Sequence, residues 1–277
     1  MRVVLCCMAK NEHLYINDFV NHYVKLGFDR IYIYDNDDPD KPYIGNYIEN
    51  TEKVEIIDVR GVCKPKLQHE IYTDFYDANK NRFDWCLFCD IDEFLVGVEN
   101  IHSFLSQRQF ENANQIRIKW KLFGDDDLIE RDMSKPVYEI FSHEITHSLN
   151  RNLIDKGNLE IQGKAIVRGG IPGVVVRSPH FASLGYRDNV LSSVLPSGKP
   201  CSSKVVIYED YSNETVFLNH YMTKSLSEFI NQKLNRNDAV FNVNLKLDYY
   251  WRINKKTKEK LEYLKDRGLI EWVLKYW

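Results

Sequence analysis

The sequence predicts an α/β fold with a mainly parallel sheet, flanking helices and a helical C-terminal appendage, on three observations. Strand-type apolar runs alternate with amphipathic helical segments at short spacing through the first third of the chain, the order that βαβ units with right-handed crossovers produce. The run Trp85-Cys86-Leu87-Phe88-Cys89 is apolar throughout, as a strand covered on both faces must be, and ends in Asp90-Ile91-Asp92-Glu93 before turning apolar again. With 277 residues and 44% hydrophobic content, the chain can also bury a large core.

Residues 2–8 read as the first strand. Asn11 is placed to cap an amphipathic helix over 13–26, whose Leu14, Ile16, Phe19, Val20, Tyr23 and Val24 fall at helical spacing and which Gly27 ends. A second strand at 30–34 closes in the acidic, turn-rich loop 35–40, a third covers 54–59, and a helix at 66–79 leads into the strand at 85–89. Residues 1–96 therefore form a nucleotide-binding half. Beyond it, 115–120 alternates as a strand, 124–127 is a loop, and Pro136 opens a helix over 137–146. Short strands are expected at 164–167 and 174–177 around Gly169-Gly170, then at 205–208 and 216–218. The Ser- and Pro-rich stretch 184–200 reads as a mobile loop and a candidate lid. Ser225 with Glu228 makes a capping box for a helix reaching 235. This gives one domain over 1–235 and an appendage over 236–277.

The acids after Cys89 carry the chemistry. Ligands of open α/β sheets bind where the strands end. If the backbone stays extended, Asp90 and Asp92 share a face and Glu93 points the other way. Two such carboxylates raise each other's pKa unless a positive charge lies between them, and a divalent cation shared with a phosphate-bearing substrate supplies it most simply.

Asp90-Ile91-Asp92-Glu93-Phe94-Leu95 resembles the D-x-D-E-F core of family 2-like and family 92-like glycosyltransferases of GT-A fold. Lys10-Asn11-Glu12, Leu26-Gly27-Phe28-Asp29, Tyr34-Asp35-Asn36, Trp120 with Phe123-Gly124, and His220-Tyr221-x-Thr223-Lys224-Ser225 match the same pattern in the same order, so the resemblance spans residues 3–235. It implies sugar transfer from a nucleotide-sugar donor, a UDP-sugar above all, to a glycan or lipid-linked acceptor, with 97–235 as the domain's acceptor half. By that resemblance Asp35 contacts the base, and Lys10, Asn11 and Glu12 line the donor pocket. Asp92 meets a metal, Mn²⁺ or Mg²⁺, with Asp90 either joining it or binding the ribose, His220 as the third ligand and His180 as its rival; an imidazole favours Mn²⁺. Lys164 and Lys224 could each counter a phosphate. Direct attack on the anomeric carbon needs a general base, for which the loop residues Asp125, Asp126 and Asp127 compete with Glu93 and Glu139; the family has small residues in that loop, so the three aspartates are a departure. Trp120 and Tyr221 offer flat faces for a sugar.

The net charge of −3 argues against a nucleic-acid partner. The N-terminal apolar run is too short for a signal-peptide core and no run reaches spanning length, which places the protein in the cytoplasm with reduced thiols. Cys86 and Cys89 face opposite sides of a strand, so they read as core and not as a chelating pair. The basic, aromatic stretch 249–277 suggests a peripheral contact with the inner membrane face or a homodimer contact. Two other classes remain open: a nucleotidyltransferase, against which stands the lack of glycine in Met8-Ala9-Lys10-Asn11-Glu12, and a non-catalytic carbohydrate- or nucleotide-binding module.

Overall fold

The computed structural model describes residues 1–145, 163–178, 180–185, 191–201, 213–234 and 243–269. The chain divides into two compact units, the first made of Met1–Lys121 and Asn150–His220, the second of Leu122–Leu149 and Tyr221–Trp277. This division does not coincide with the boundary expected at 235/236: the tail belongs with the segment that follows the strand at 115–122.

In the first unit, β1 (Val3–Ala9), β2 (Arg30–Asp35), β3 (Val54–Asp58) and β4 (Trp85–Phe88) run parallel in the order β3-β2-β1-β4. The sheet continues through β7 (Gly163–Arg168), β6 (Gln115–Leu122), β11 (Phe217–His220) and β5 (Glu93–Val96). β7 is antiparallel to both β4 and β6, and β5 is antiparallel to β11. The mainly parallel half is thus the expected α/β sheet. Helix α2 (Leu67–Asn79) covers one face, where Tyr72, Phe75 and Tyr76 pack with Val4, Cys6, Cys86 and Phe88. Helix α1 (Ile16–Lys25) brings Phe19 and Tyr23 against Phe94 and Phe28. Strand β4 is buried along its whole length, and its Cys86 and the following Cys89 are buried free thiols, as expected of core residues.

Several local expectations give way to tertiary contacts. α1 starts at Ile16 and has no side-chain cap; Asn11 instead adopts φ 56° and donates its backbone N–H to the Asp37 carboxylate. Gly27, at φ 93°, does end the helix, in a conformation costly for a residue with a Cβ. The helix expected over 137–146 is one turn, α4 (Val137–Ile140), because Phe141 turns extended and Glu144 bridges to Phe123; Thr146 lies outside the described residues. Asp90 to Asp92 is not extended. It forms a turn closed by the Glu93 N–H on the Asp90 carbonyl, and Glu93 opens β5, a strand the sequence does not announce.

β8 (Val174–Ser178) pairs with β9 (Phe181–Leu184) as a separate two-stranded sheet. The candidate lid is not one where it is described: β10 (Ser193–Val194) runs parallel to the start of β6, with Leu191 and Leu195 buried and the Gln115 side chain donating to Ser193 Oγ. Residues 186–190 of that stretch, and the strand expected at 205–208, lie outside the described residues. Two short helices, α3 (Ile101–Leu105) and a 3-10 turn at Arg108–Phe110, lie between β5 and β6.

The second unit holds α4, α5 (Leu226–Phe229), a π-helical turn at Ile230–Leu234, α6 (Val243–Ile253) and α7 (Lys258–Asp266). The capping box at Ser225 and Glu228 is present, and the other Glu228 oxygen takes the Arg131 Nε–H at 2.6 Å. Leu226, Phe229, Ile230, Leu234, Leu247, Tyr250 and Leu264 form its core. Those tail positions are therefore spent inside the unit and do not make an exposed apolar face; residues 270–277 lie outside the described residues. No helix among the described residues is long and apolar enough to cross a membrane.

Candidate active site

Parallel pairing sets the first rim. Ala9 lies opposite Asp35, and Cys6 opposite Phe88, so Asp35 and Asp90 emerge at the same sheet end on either side of β1. Two strand spacings separate them, about 10 Å. Asp35 is fully buried and accepts the Asp37 and Ile44 N–H groups, each at 3.2 Å. Burial pushes its carboxyl up, and those two N–H groups offset part of the rise. Lys10 pairs with Asp38, while Glu12 is buried and its carbonyl accepts the Tyr15 and Ile16 N–H groups that open α1. All four expected donor-pocket residues thus stand at this rim.

The Asp90 turn is held from three sides. Tyr23 of α1 donates to the Glu93 carbonyl at 2.9 Å and accepts the Leu95 N–H at 3.2 Å. Tyr72 of α2 donates to the Cys89 carbonyl and accepts the Met8 N–H. Gln68, one turn earlier on the helix, donates to Asp90 Oδ1 at 2.8 Å. Sequence reading missed Gln68, Tyr23 and Tyr72; their only signal was helical spacing on faces that turn toward a strand end.

Lys164 supplies the positive charge. Its ammonium is fully enclosed, 2.6 Å from Asp90 Oδ2 and 3.5 Å from Glu93 Oε1. Its position follows from Gly163, where any Cβ would lie 1.9 Å from the Ile118 carbonyl oxygen; only glycine lets β7 come this close to β6. Burial would raise Asp90, but the Lys164 charge and the hydrogen bonds from Lys164 and Gln68 hold it below the usual carboxylate range. Burial pushes Glu93 well up, with Lys164 only partly offsetting it. Lys164 is held above its ordinary value because its two carboxylate neighbours outweigh its own burial. Burial thus favours the uncharged acid at Glu93, while Asp90 and Lys164 hold each other charged. Glu93 points inward with Asp90, opposite to the expectation, and its enclosure leaves it no surface for an incoming hydroxyl.

Asp92 and His220 meet on the other side of the turn, with Oδ1 and Nε2 3.4 Å apart and both residues buried. One ion with bonds of about 2.1 Å can touch two atoms at that spacing. Asp90, expected to join them, has its oxygens on Gln68 and Lys164, and among the described residues no three His, Cys, Asp or Glu side chains converge on one point. The Trp120 ring lies 4.4 Å from the His220 ring and 5.1 Å from that of His180 and is buried, so it has no open face for a sugar.

His180 donates its Nδ1–H to the Gly163 carbonyl, 3.1 Å away, and burial beside Lys164 drives its pKa down to about 3. The folded protein then keeps His180 neutral while the unfolded chain takes a proton below about pH 6.5. Stability from this group is complete above that pH and falls as pH drops toward 3, by about 2 kcal/mol at pH 5. Urea unfolding at pH 7 and pH 5 checks this: His180→Gln should lose less stability on acidification than wild type, and equal losses would contradict it.

The remaining candidates lie in the second unit. Asp126 and Asp127 take the left-handed conformation at φ 48° and 59°. Asp126 accepts from the Ser142 and His143 N–H groups and the Ser142 hydroxyl. Asp125 is buried, accepting the Tyr250 hydroxyl and pairing with the enclosed Lys260 at 2.7 Å. Asp127 keeps 52% of its side chain exposed while contacting the same Lys260 at 3.1 Å. These residues, with His143, Ile145, Asn254 and Lys255, line a cavity of about 540 Å³. Glu139 is exposed in the first turn of α4. Lys224 is buried at φ 55°, and Tyr221 is a core residue 4.9 Å from the Phe123 ring.

Residues 2–260 match the sequence profile described as glycosyltransferase family 92. The chain belongs to this family. The protein is therefore a glycosyltransferase, as the D-x-D-E-F resemblance implied. No curated protein matches it. Among solved structures, the galactosyltransferase LgtC in complex with donor and acceptor sugar analogs is similar at 10% identity over 92% of this chain and 98% of that one, with a TM-score of 0.27, too low to bear on this enzyme's chemistry.

Proposed function

We propose that this family 92 glycosyltransferase takes a nucleotide-sugar donor, with a UDP-sugar as the first choice, and passes the sugar with inversion to a glycan or lipid-linked acceptor. The observation that carries the reading is the Asp92–His220 pair beside a strand-end turn whose neighbouring acid is already neutralised by Lys164. A carboxylate and an imidazole fit Mn²⁺. Bound there, the cation would act as a Lewis acid on the departing nucleoside diphosphate. Asp35 is placed to accept an N–H of the base or a ribose hydroxyl, and Lys164 keeps Asp90 fixed and charged. The reaction would take place on the cytoplasmic side.

For the base, Asp127 is preferred to Asp126, whose oxygens are used by Ser142 and His143, and to the enclosed Glu93. Asp127→Asn should lower kcat about a hundredfold, the smaller end of what a general base contributes. Asp126→Asn with the larger loss would reverse the assignment. The reading as a whole is tested by nucleoside diphosphate release from purified protein with Mn²⁺ and a panel of nucleotide sugars. Release with none of them, in the presence of candidate acceptors, would sink it.

A further inference from the structure

Trp120 stands on β6 between β7, which carries Lys164, and β11, which carries His220. Besides its two imidazole neighbours, the Lys164 ammonium lies 5.7 Å from its ring centre. The residue is 4% exposed, and its Nε1 is buried with no hydrogen-bond acceptor among the described residues. An indole N–H can only donate. A buried donor left unmade is destabilising, and in a native protein such a group calls for a reason. Phenylalanine in this place would supply an aromatic wall for His220 without that cost, so packing does not account for the nitrogen. The groups that ring it belong to the candidate active site, and the ligand proposed there is dense in oxygen acceptors.

We infer that the Trp120 indole N–H, without an acceptor among the described residues, is a substrate-binding donor satisfied by an oxygen of the donor's glycosyl-diphosphate portion. The inference rests on the nucleotide-sugar reading. Ligand entry then recovers an interaction that folding forgoes, which favours the complex over the empty site.

The test follows the five tryptophan indole resonances in a ¹H–¹⁵N spectrum. The one missing in Trp120→Phe belongs to Trp120. Titration of wild-type protein with UDP-sugar and Mg²⁺, which is diamagnetic and leaves nearby resonances sharp, should move it downfield, as a new hydrogen bond does. Titration with UDP and Mg²⁺ separates a phosphate oxygen, which gives the same shift, from a sugar oxygen, which does not. Because Trp120→Phe also removes ring volume, affinity is measured with 3-benzothienylalanine at position 120, which keeps the shape and lacks the N–H. Donor affinity should fall about fivefold to tenfold with an unchanged or raised Tm. A lowered Tm with unchanged affinity would mean that the N–H serves the fold, and would overturn the inference. Shifts elsewhere with a still Trp120 indole would overturn it and leave the nucleotide-sugar reading standing. A spectrum that no donor in the panel perturbs would remove both.

Discussion

Asp92→Asn is expected to lower kcat/KM for sugar transfer at least about a thousandfold while the protein still unfolds at the wild-type temperature. Asparagine keeps the shape of the side chain and an oxygen for the His220 Nε2, 3.4 Å away, so the turn and its packing survive. What is lost is a negative charge at a site that the proposed chemistry uses for a cation. Lewis-acid stabilisation of a leaving diphosphate is worth several kcal/mol, and about 4 kcal/mol corresponds to a thousandfold in rate. Activity within about threefold of wild type would remove Asp92 from the site. His220→Ala separates the two halves of the pair: transfer should persist at raised Mn²⁺, and an unchanged metal titration would free His220 from any ligand role.

The strand that delivers these acids was readable because β4 is covered on both faces, and only an unbroken apolar run satisfies that. Its continuation was not. Glu93 opens β5 fully buried, although an acid normally marks a solvent edge. The lysine that makes its burial tolerable lies 71 positions away in the chain, and nothing local announces that pairing. The helix expected over 137–146 failed for a related reason: a backbone partner at Phe123 claims Glu144, and Ile145 donates to the Leu122 carbonyl. The capping box at Ser225 and Glu228 was legible because both halves of it are within one turn. The acidic loop 125–127 was legible as a loop, but the enclosed Lys260 that organises Asp125 and Asp127 belongs to a tail that reads as a separate appendage.

Lys164→Met is expected to destabilise the first unit by about 2–3 kcal/mol at pH 7. Breaking a fully enclosed ion pair by removing one partner costs about 3–5 kcal/mol. Asp90 keeps 35% of its side chain exposed and can recover some hydration, which places the loss below that range. Glu93 adds less, since it lies 3.5 Å from the ammonium and its burial favours the uncharged acid. The pH dependence follows from the two shifts. Asp90, held low in the wild type, contributes stability above its unfolded value that is lost as pH falls through its folded one. Lys164, held high, contributes below its unfolded value and loses this only as pH rises through its folded one. The pair is therefore complete from roughly pH 4 to pH 10. The gap between wild type and variant should narrow toward acid, where the stranded Asp90 takes a proton. A second variant isolates the charge: Lys164→Met with Asp90→Asn should recover at least half of the lost stability, because replacing both members of a buried pair costs far less than stranding one. If the single and double variants unfold at the same denaturant concentration across pH 5 to 8, the stability contributed by Lys164 is packing alone and the charge balance drawn for Asp90, Glu93 and Lys164 does not hold.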